Sequence, residues 1–388
     1  QIEKLTMAGE VEVSKNGFAE YQARFHVGNL TLNKFDFSKI VTAFVYDREQ
    51  DLLVGLSDGF GLNDLHITDL HFSDGEDEAY LSSGKIMVSK QKMADLEVKG
   101  FAVKNSSKTG TISIGSASLM TLDLTMLDPL VLTVRGRAKA ISTYLGVTEF
   151  RLKDAFAQSA DTGQKRMGVM GITLDNISRH EGLVTAANLN IEKFIVPVDL
   201  IAQENQDFAL IAKEVTGSDE VMVSLEVGSD YDVSRSAYDT VLGVDIAAFG
   251  DLTLKVSLEG VPFEKLKALS NANDPLNTLT TLGELNQTVS LKGVSIDYVD
   301  GMLVDKILEQ APPASQLNAI ISQQLTLFLI AYPAEREQIL AAAAGFLEGK
   351  NAFSMKLKAS TPIPLKDLPE KFASGQINRD LAVSAIGR

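Results

Sequence analysis

The chain has 388 residues, 45% of them hydrophobic and 22% charged. That balance belongs to a folded protein of two or three ordinary domains, or one elongated domain, and not to a disordered chain or a bundle of membrane spans. Its 51 acidic and 36 basic side chains give a formal net charge of −15, and it has neither Trp nor Cys. Such a surface repels nucleic acid, and disulfides, thiolate catalysis, Fe–S clusters and sulfur-ligated zinc are excluded.

From the N-terminus to about Tyr298 the apolar residues recur with period two. Side chains on a strand point to alternate faces, so this pattern predicts strands that are buried on one side and wet on the other. Such strands belong to antiparallel sheets. The clearest runs are Leu122, Leu124 and Met126, then Val221, Val223, Leu225 and Val227, then Leu252, Leu254, Val256 and Leu258. Turn signals separate many of the strands, among them Lys15-Asn16-Gly17, Ser73-Asp74-Gly75 and Thr162-Gly163. The pattern predicts a β region over residues 1–298, with a subdomain break near 155–167.

Inside several runs the parity flips. Leu65 and Ile67 give way to Leu70 and Phe72, and Leu96 and Val98 to Phe101 and Val103 around Gly100. Further flips occur at Leu258-Glu259-Gly260-Val261 and in Val289–Tyr298 around Gly293. A flip within one strand needs an extra residue, which is a β-bulge; otherwise it marks a short loop between two strands. Repeated bulges would curve the sheet strongly.

After Asp300 the period becomes helical. Leu303, Ile307 and Leu308 mark a first helix that ends at Pro312-Pro313. Ser315 caps a second, carrying Leu317, Ile320, Ile321, Leu325 and Phe328 on one face. A third begins at Pro333, carries Ile339, Leu340, Ala343 and Leu347, and stops at Gly349. Phe353, Met355, Leu357 and Ala359 then alternate as an added strand, Pro362-Ile363-Pro364 breaks it, and Leu365 to Phe372 forms a short helix. The fold class expected is mainly β (α+β): a long, curved, bulged antiparallel sheet with a helical C-terminal region over 299–388.

Polar residues offer little chemistry. His66 and His71, five apart, share a face only if the parity flips between them, and they read as surface residues beside the acidic turn Asp74-Gly75-Glu76-Asp77-Glu78. That turn lacks the Gly and Glu of a calcium loop. His26 and His180 stand apart, and Gly59-Phe60-Gly61 lacks the third Gly of a dinucleotide fingerprint. No phosphate loop, nucleophile elbow or zinc helix is present. The reading is therefore non-enzymatic, with no cofactor and no metal.

A sheet with one apolar face must cover that face. Either the C-terminal helices fill it, giving an ordinary core, or they leave a groove for a lipid or another apolar ligand. The residues expected to face it are Val223, Leu225, Val227, Leu252, Leu254 and Val256. The longest membrane-like run, Leu325 to Ala331, falls far short of a span, and a chain starting at Gln1 suggests that a leader or N-terminal membrane anchor has been removed.

Several phrases carry a resemblance: Tyr238-Asp239 through Val244-Asp245, Phe249-Gly250-Asp251-Leu252-Thr253-Leu254, Leu258-Glu259-Gly260-Val261, Leu291-Lys292-Gly293-Val294, and Asp300-Gly301-Met302-Leu303-Val304-Asp305-Lys306. With the Phe346-Leu347 helix and the Pro362–Leu365 close, they resemble bacterial AsmA-like and YdgA-like envelope proteins of Gram-negative bacteria, including uncharacterised exported proteins of alphaproteobacteria, over roughly residues 230–370. The resemblance implies a periplasmic location, usually behind an anchor, and a role in lipid handling or outer-envelope assembly. It supplies no catalytic residue, and the chain is shorter than the bridge-forming members. The alternative is a structural protein that docks envelope partners through its sheet edges.

Overall fold

A computed structural model describes residues 2–14, 22–35, 64–73, 77–88, 93–105, 110–123, 147–159, 166–181, 183–271, 275–310, 332, 335–347, 351–374 and 376–387. The fold is mainly β and antiparallel, and the chain divides into two compact units. The first comprises residues 1–184 with 189–197, the second 185–188 with 198–388.

In the first unit the strands follow one another in chain order as an antiparallel meander. They are β1 (Ile2–Ser14), β2 (Gln22–Phe35), β3 (Asp64–Ser73), β4 (Asp77–Val88), β5 (Met93–Asn105), β6 (Gly110–Asp123), β7 (Glu149–Ser159), β8 (Arg166–His180) and most of β9 (Leu183–Pro197). Leu122 lies near the end of β6; Leu124 and Met126 lie outside the described residues, as do the turn signals at 15–17, 74–75 and 162–163.

The parity flips have three different outcomes. At Gly293 the flip is a β-bulge: Ser257 pairs with Gly293 and Leu258 with Leu291, so Lys292 is the extra residue. At Gly260 it is a loop, since β12 ends at Glu259. At Asp69 and Gly100 the strands run through without a shift, because each neighbouring strand carries its own extra residue at the same level. A bulge of two residues against one is therefore the wrong description there.

The second unit pairs β10 (Glu220–Asp232), β11 (Ala237–Ile246), β12 (Gly250–Glu259), β13 (Ser290–Asp300), β14 (Ala352–Pro364) and β15 (Leu381–Gly387) in sequence. Pro362 does not break β14. The strand continues to Pro364, with a register shift after which Leu291 pairs with Ile363. Around the strands lie α1 (Val198–Glu204), α2 (Gln206–Thr216), α3 (Phe263–Asn271), α4 (Pro275–Thr288), α5 (Leu303–Gln310), α6 (Arg336–Leu347), α7 (Leu368–Ala373) and α8 (Ile377–Asp380). The helix expected after Ser315 lies outside the described residues.

Helices α1 to α4 fall in the stretch read as strands alone. α2 forms because Ala209, Ala212 and Val215, three residues apart, bury one stripe. The Asn205 side chain caps it by accepting from the Phe208 N–H at 3.0 Å, and Gly217, at φ 62°, donates to the Lys213 carbonyl. Its stripe packs with Val198, Val221 and Phe249. A second core joins Tyr231, Val261 and Val289 to Phe263, Leu266 and Leu285 from α3 and α4. The third and largest packs Ile339 and Ala342 of α6 on Leu381, Val383 and Ala385 of β15, together with Tyr332, Ala359, Ile363 and Ile377.

Candidate functional site

Directly paired residues of an antiparallel ladder share a face. In the first unit this rule assembles whole rows. One row is Leu65, Ile86, Leu96, Leu119, Phe150 and Leu174, and another is Leu70, Leu81, Phe101, Ile114, Ala155 and Val169. Each strand from β2 to β8 contributes residues at the spacing i, i+2, i+5, i+7, as in Leu65, Ile67, Leu70 and Phe72 or Met167, Val169, Ile172 and Leu174. All four rows run over one face. Across β3 to β8 they contain only Leu, Ile, Val, Phe, Ala and Met, with one Gly, Gly84.

The exposure pattern agrees with the register on β3, whereas the outer-row residues Ile112 and Met167 are exposed and Phe156, on the opposite face, is buried. On β3, His66, Asp69 and His71 are exposed, while Leu65, Ile67, Leu70 and Phe72 are half-buried. Isolated members of the rows are buried, such as Leu32 and Val169. Among the described residues, however, all three clusters of mutually packed buried side chains lie in the second unit and none in the first.

The second unit repeats the arrangement over its own strands. Leu225, Val244, Leu252 and Tyr298 form one row, and Val227, Leu242, Leu254, Ile296 and Met355 the next; Val256 and Val294 follow. All six sequence-predicted residues therefore share one face. Val223 packs against the helix-covered core around Phe249. Leu225, Val227, Leu254 and Val256 are half-buried, and Leu252 is 41% exposed. Their β11 neighbour Leu242, which sequence reasoning passed over, is 40% exposed. The signal for it was the alternation Thr240, Leu242, Val244, Ile246 on the intervening strand.

At one end of this face Tyr298 donates its hydroxyl to the Phe249 carbonyl at 2.7 Å and to Asp300 Oδ1 at 2.9 Å. Burial, reinforced by that carboxylate, pushes the phenol well above its ordinary value. Asp300 also accepts from the Val304 N–H, tying β13 to the start of α5.

The opposite, wet face of the second unit holds a cavity of about 560 Å³ lined by Asn188, Glu226, Asp230, Asp239 and Lys255. Asp230 and Asp239 stand directly opposite each other. In the first unit the reversed parity puts His66 and His71 on one face. His66 Nε2 lies 3.3 Å from Ser83 Oγ, and Tyr80 donates to Asp69 at 3.3 Å. Among the described residues no His, Cys, Asp and Glu side chains gather as a metal site, and no helix is long and apolar enough to cross a membrane. Asp74 to Glu76 and Gly59-Phe60-Gly61 lie outside the described residues.

These features define a mainly β protein whose sheets are apolar on one side. A protein family described only as "Uncharacterized protein" matches residues 243–385, from within β11 to within β15. No curated protein matches the chain.

Proposed function

We propose that the protein is a non-enzymatic envelope component of the bacterial periplasm that binds a lipid-like apolar ligand, in a role such as outer-envelope assembly. The observation that carries this reading is the four-row apolar face of the first unit, built across β3 to β8 from Leu, Ile, Val, Phe, Ala and Met with one Gly. The part of such a face that stays in water costs about 25 cal/mol per Å² of apolar surface, so a ligand that covers that part gains that free energy.

The chemistry of the rows selects hydrocarbon. A protein partner needs about one hydrogen bond per 100–200 Å² of interface, and the side chains of β3 to β8 on this face supply none. The exposed Leu242 and Leu252 extend the same chemistry to the second unit's own face. The periplasmic placement rests on the resemblance over residues 230–370.

Native mass spectrometry of the gently purified protein tests the ligand. Adducts with the masses of acyl lipids are expected, and they should vanish in the double variant Val98→Asp, Phe101→Asp. A bare protein mass, together with no uptake of an apolar fluorescent dye, would sink the reading.

A further inference from the structure

Between the second and third apolar rows of the first unit, every strand from β2 to β8 carries two residues where simple alternation allows one. The register stays constant across this line: Val27 pairs with Leu70 and Asn29 with Thr68, and five strands later Ala155 pairs with Val169 and Lys153 with Gly171. The residues skipped by the ladder on these seven strands are Gly28, Asp69, Ser82, Gly100, Gly115, Asp154 and Met170. Every second one has left-handed backbone: Asp69 at φ 51°, Gly100 at 60° and Asp154 at 53°, with Lys193 at 49° on β9.

Their partners leave room for this. A Cβ on Gly28 would stand 2.8 Å from the Asp69 Cβ, and one on Gly115 2.8 Å from the Asp154 Cβ. Asp is among the few residues that adopt the left-handed region at low cost, and Gly on the facing strand accepts its close approach. A left-handed residue in an extended segment turns the chain and reverses its side-chain alternation. On β3 that reversal keeps Ile67 and Leu70, three residues apart, on the same face; β2 and β4 make the matching reversal at Gly28 and Ser82 without a left-handed residue.

We propose that this transverse line is the fold axis of the ligand groove. Two apolar rows stand on each side of it as walls, and a long acyl chain lies along it, across the strands. Gly28, Asp69, Gly115 and Asp154 are the positioning residues that create the groove without touching the ligand. From β3 to β8 the line is about 24 Å long at ~4.8 Å per strand, longer than the ~15 Å of one bilayer leaflet's hydrocarbon. A chain laid along the strands would have to cross this line; one laid along the axis meets the apolar rows on both sides.

This assignment rests on the lipid reading, and photolabelling separates the two. Two fatty-acid probes, one with a diazirine near the carboxyl end and one with it near the methyl end, are crosslinked to the full-length chain and the labelled residues mapped by mass spectrometry. Label confined to the rows beside the axis, such as Ile67, Leu70, Val98, Phe101, Leu152 and Ala155, and spread over several strands is the expected result. Label running from the inner to the outer rows of one strand would overturn the orientation while leaving the lipid reading standing. No saturable label from either probe would overturn both.

The second arm is Asp154→Val, which places a β-branched residue at φ 53°. It should cut labelling about fivefold or more while circular dichroism reports unchanged strand content, and Asp154→Asn should restore it. Because Gly115→Val attacks the same contact from the facing strand, it serves if Asp154→Val fails to fold. Full labelling in a folded variant of either kind would remove these residues from the groove.

Discussion

If the centre of the second unit's apolar face is open, shortening a side chain there leaves no cavity. Leu242 and Leu252 are 40% and 41% exposed, whereas Ile339, under α6, is 2% exposed. Truncation to Ala at a fully buried site loses roughly 0.8 kcal/mol per methylene-sized group and adds a cavity term, for a total of about 2–5 kcal/mol. At Leu242 only about three-fifths of the transfer contribution is at stake and the vacated volume belongs to solvent, so about 1–1.5 kcal/mol is expected. Urea unfolding of lipid-stripped protein, followed by a probe in the second unit, should place Leu242→Ala and Leu252→Ala clearly above Ile339→Ala in midpoint at an unchanged slope. Adding ligand should widen the gap between wild type and Leu242→Ala, because ligand protects in proportion to affinity. A Leu242→Ala loss as large as that of Ile339→Ala would refute the open face, since only a packed neighbour could make that truncation so costly.

The Tyr298 phenol, ordinarily titrating near 10, is held higher by burial and by the Asp300 carboxylate. Its contribution to stability is thus complete below pH 10 and lost as pH rises through the folded value. Tyr298→Phe should cost about 1–2 kcal/mol at neutral pH and flatten the alkaline limb of a pH–stability curve. Asp232, the last residue of β10, is held down to about 2 by the Ser234 hydroxyl and the Arg235 guanidinium. Its contribution is present above about pH 3.8 and fades as pH falls through about 2, so Asp232→Asn should flatten the acid limb. Asn205→Ala removes the cap of α2 and should cost about 1 kcal/mol, read by the same urea titration.

Much of the sheet was legible because a strand buried on one side writes its face into the sequence at every second residue. Val223, Leu225, Val227, Leu252, Leu254 and Val256 were placed together by that rule, and the ladder puts them on one face. The short helices were not legible. In α2 the buried stripe is Ala209, Ala212 and Val215, and alanine is too weakly apolar to stand out against Phe208, Leu210 and Ile211, which the structure leaves exposed. Pro362 misled for a different reason: a register shift lets β14 carry a residue without an N–H, and a list of breakers cannot foresee where a ladder shifts.

The flips of parity mark the boundary between the two kinds of information. Sequence alone established that Leu65, Ile67, Leu70 and Phe72, like Leu96, Val98, Phe101 and Val103, break step between their second and third members. Whether a break is a bulge, a loop or a line shared by every neighbouring strand depends on the residue facing it across the ladder, and that partner is remote in the chain. Asp69 meets Gly28 on one side and Ser82 on the other only after the strands have paired. Alternation along a strand is a local property of an extended backbone; alignment between strands is long-range, and only the assembled sheet decides it.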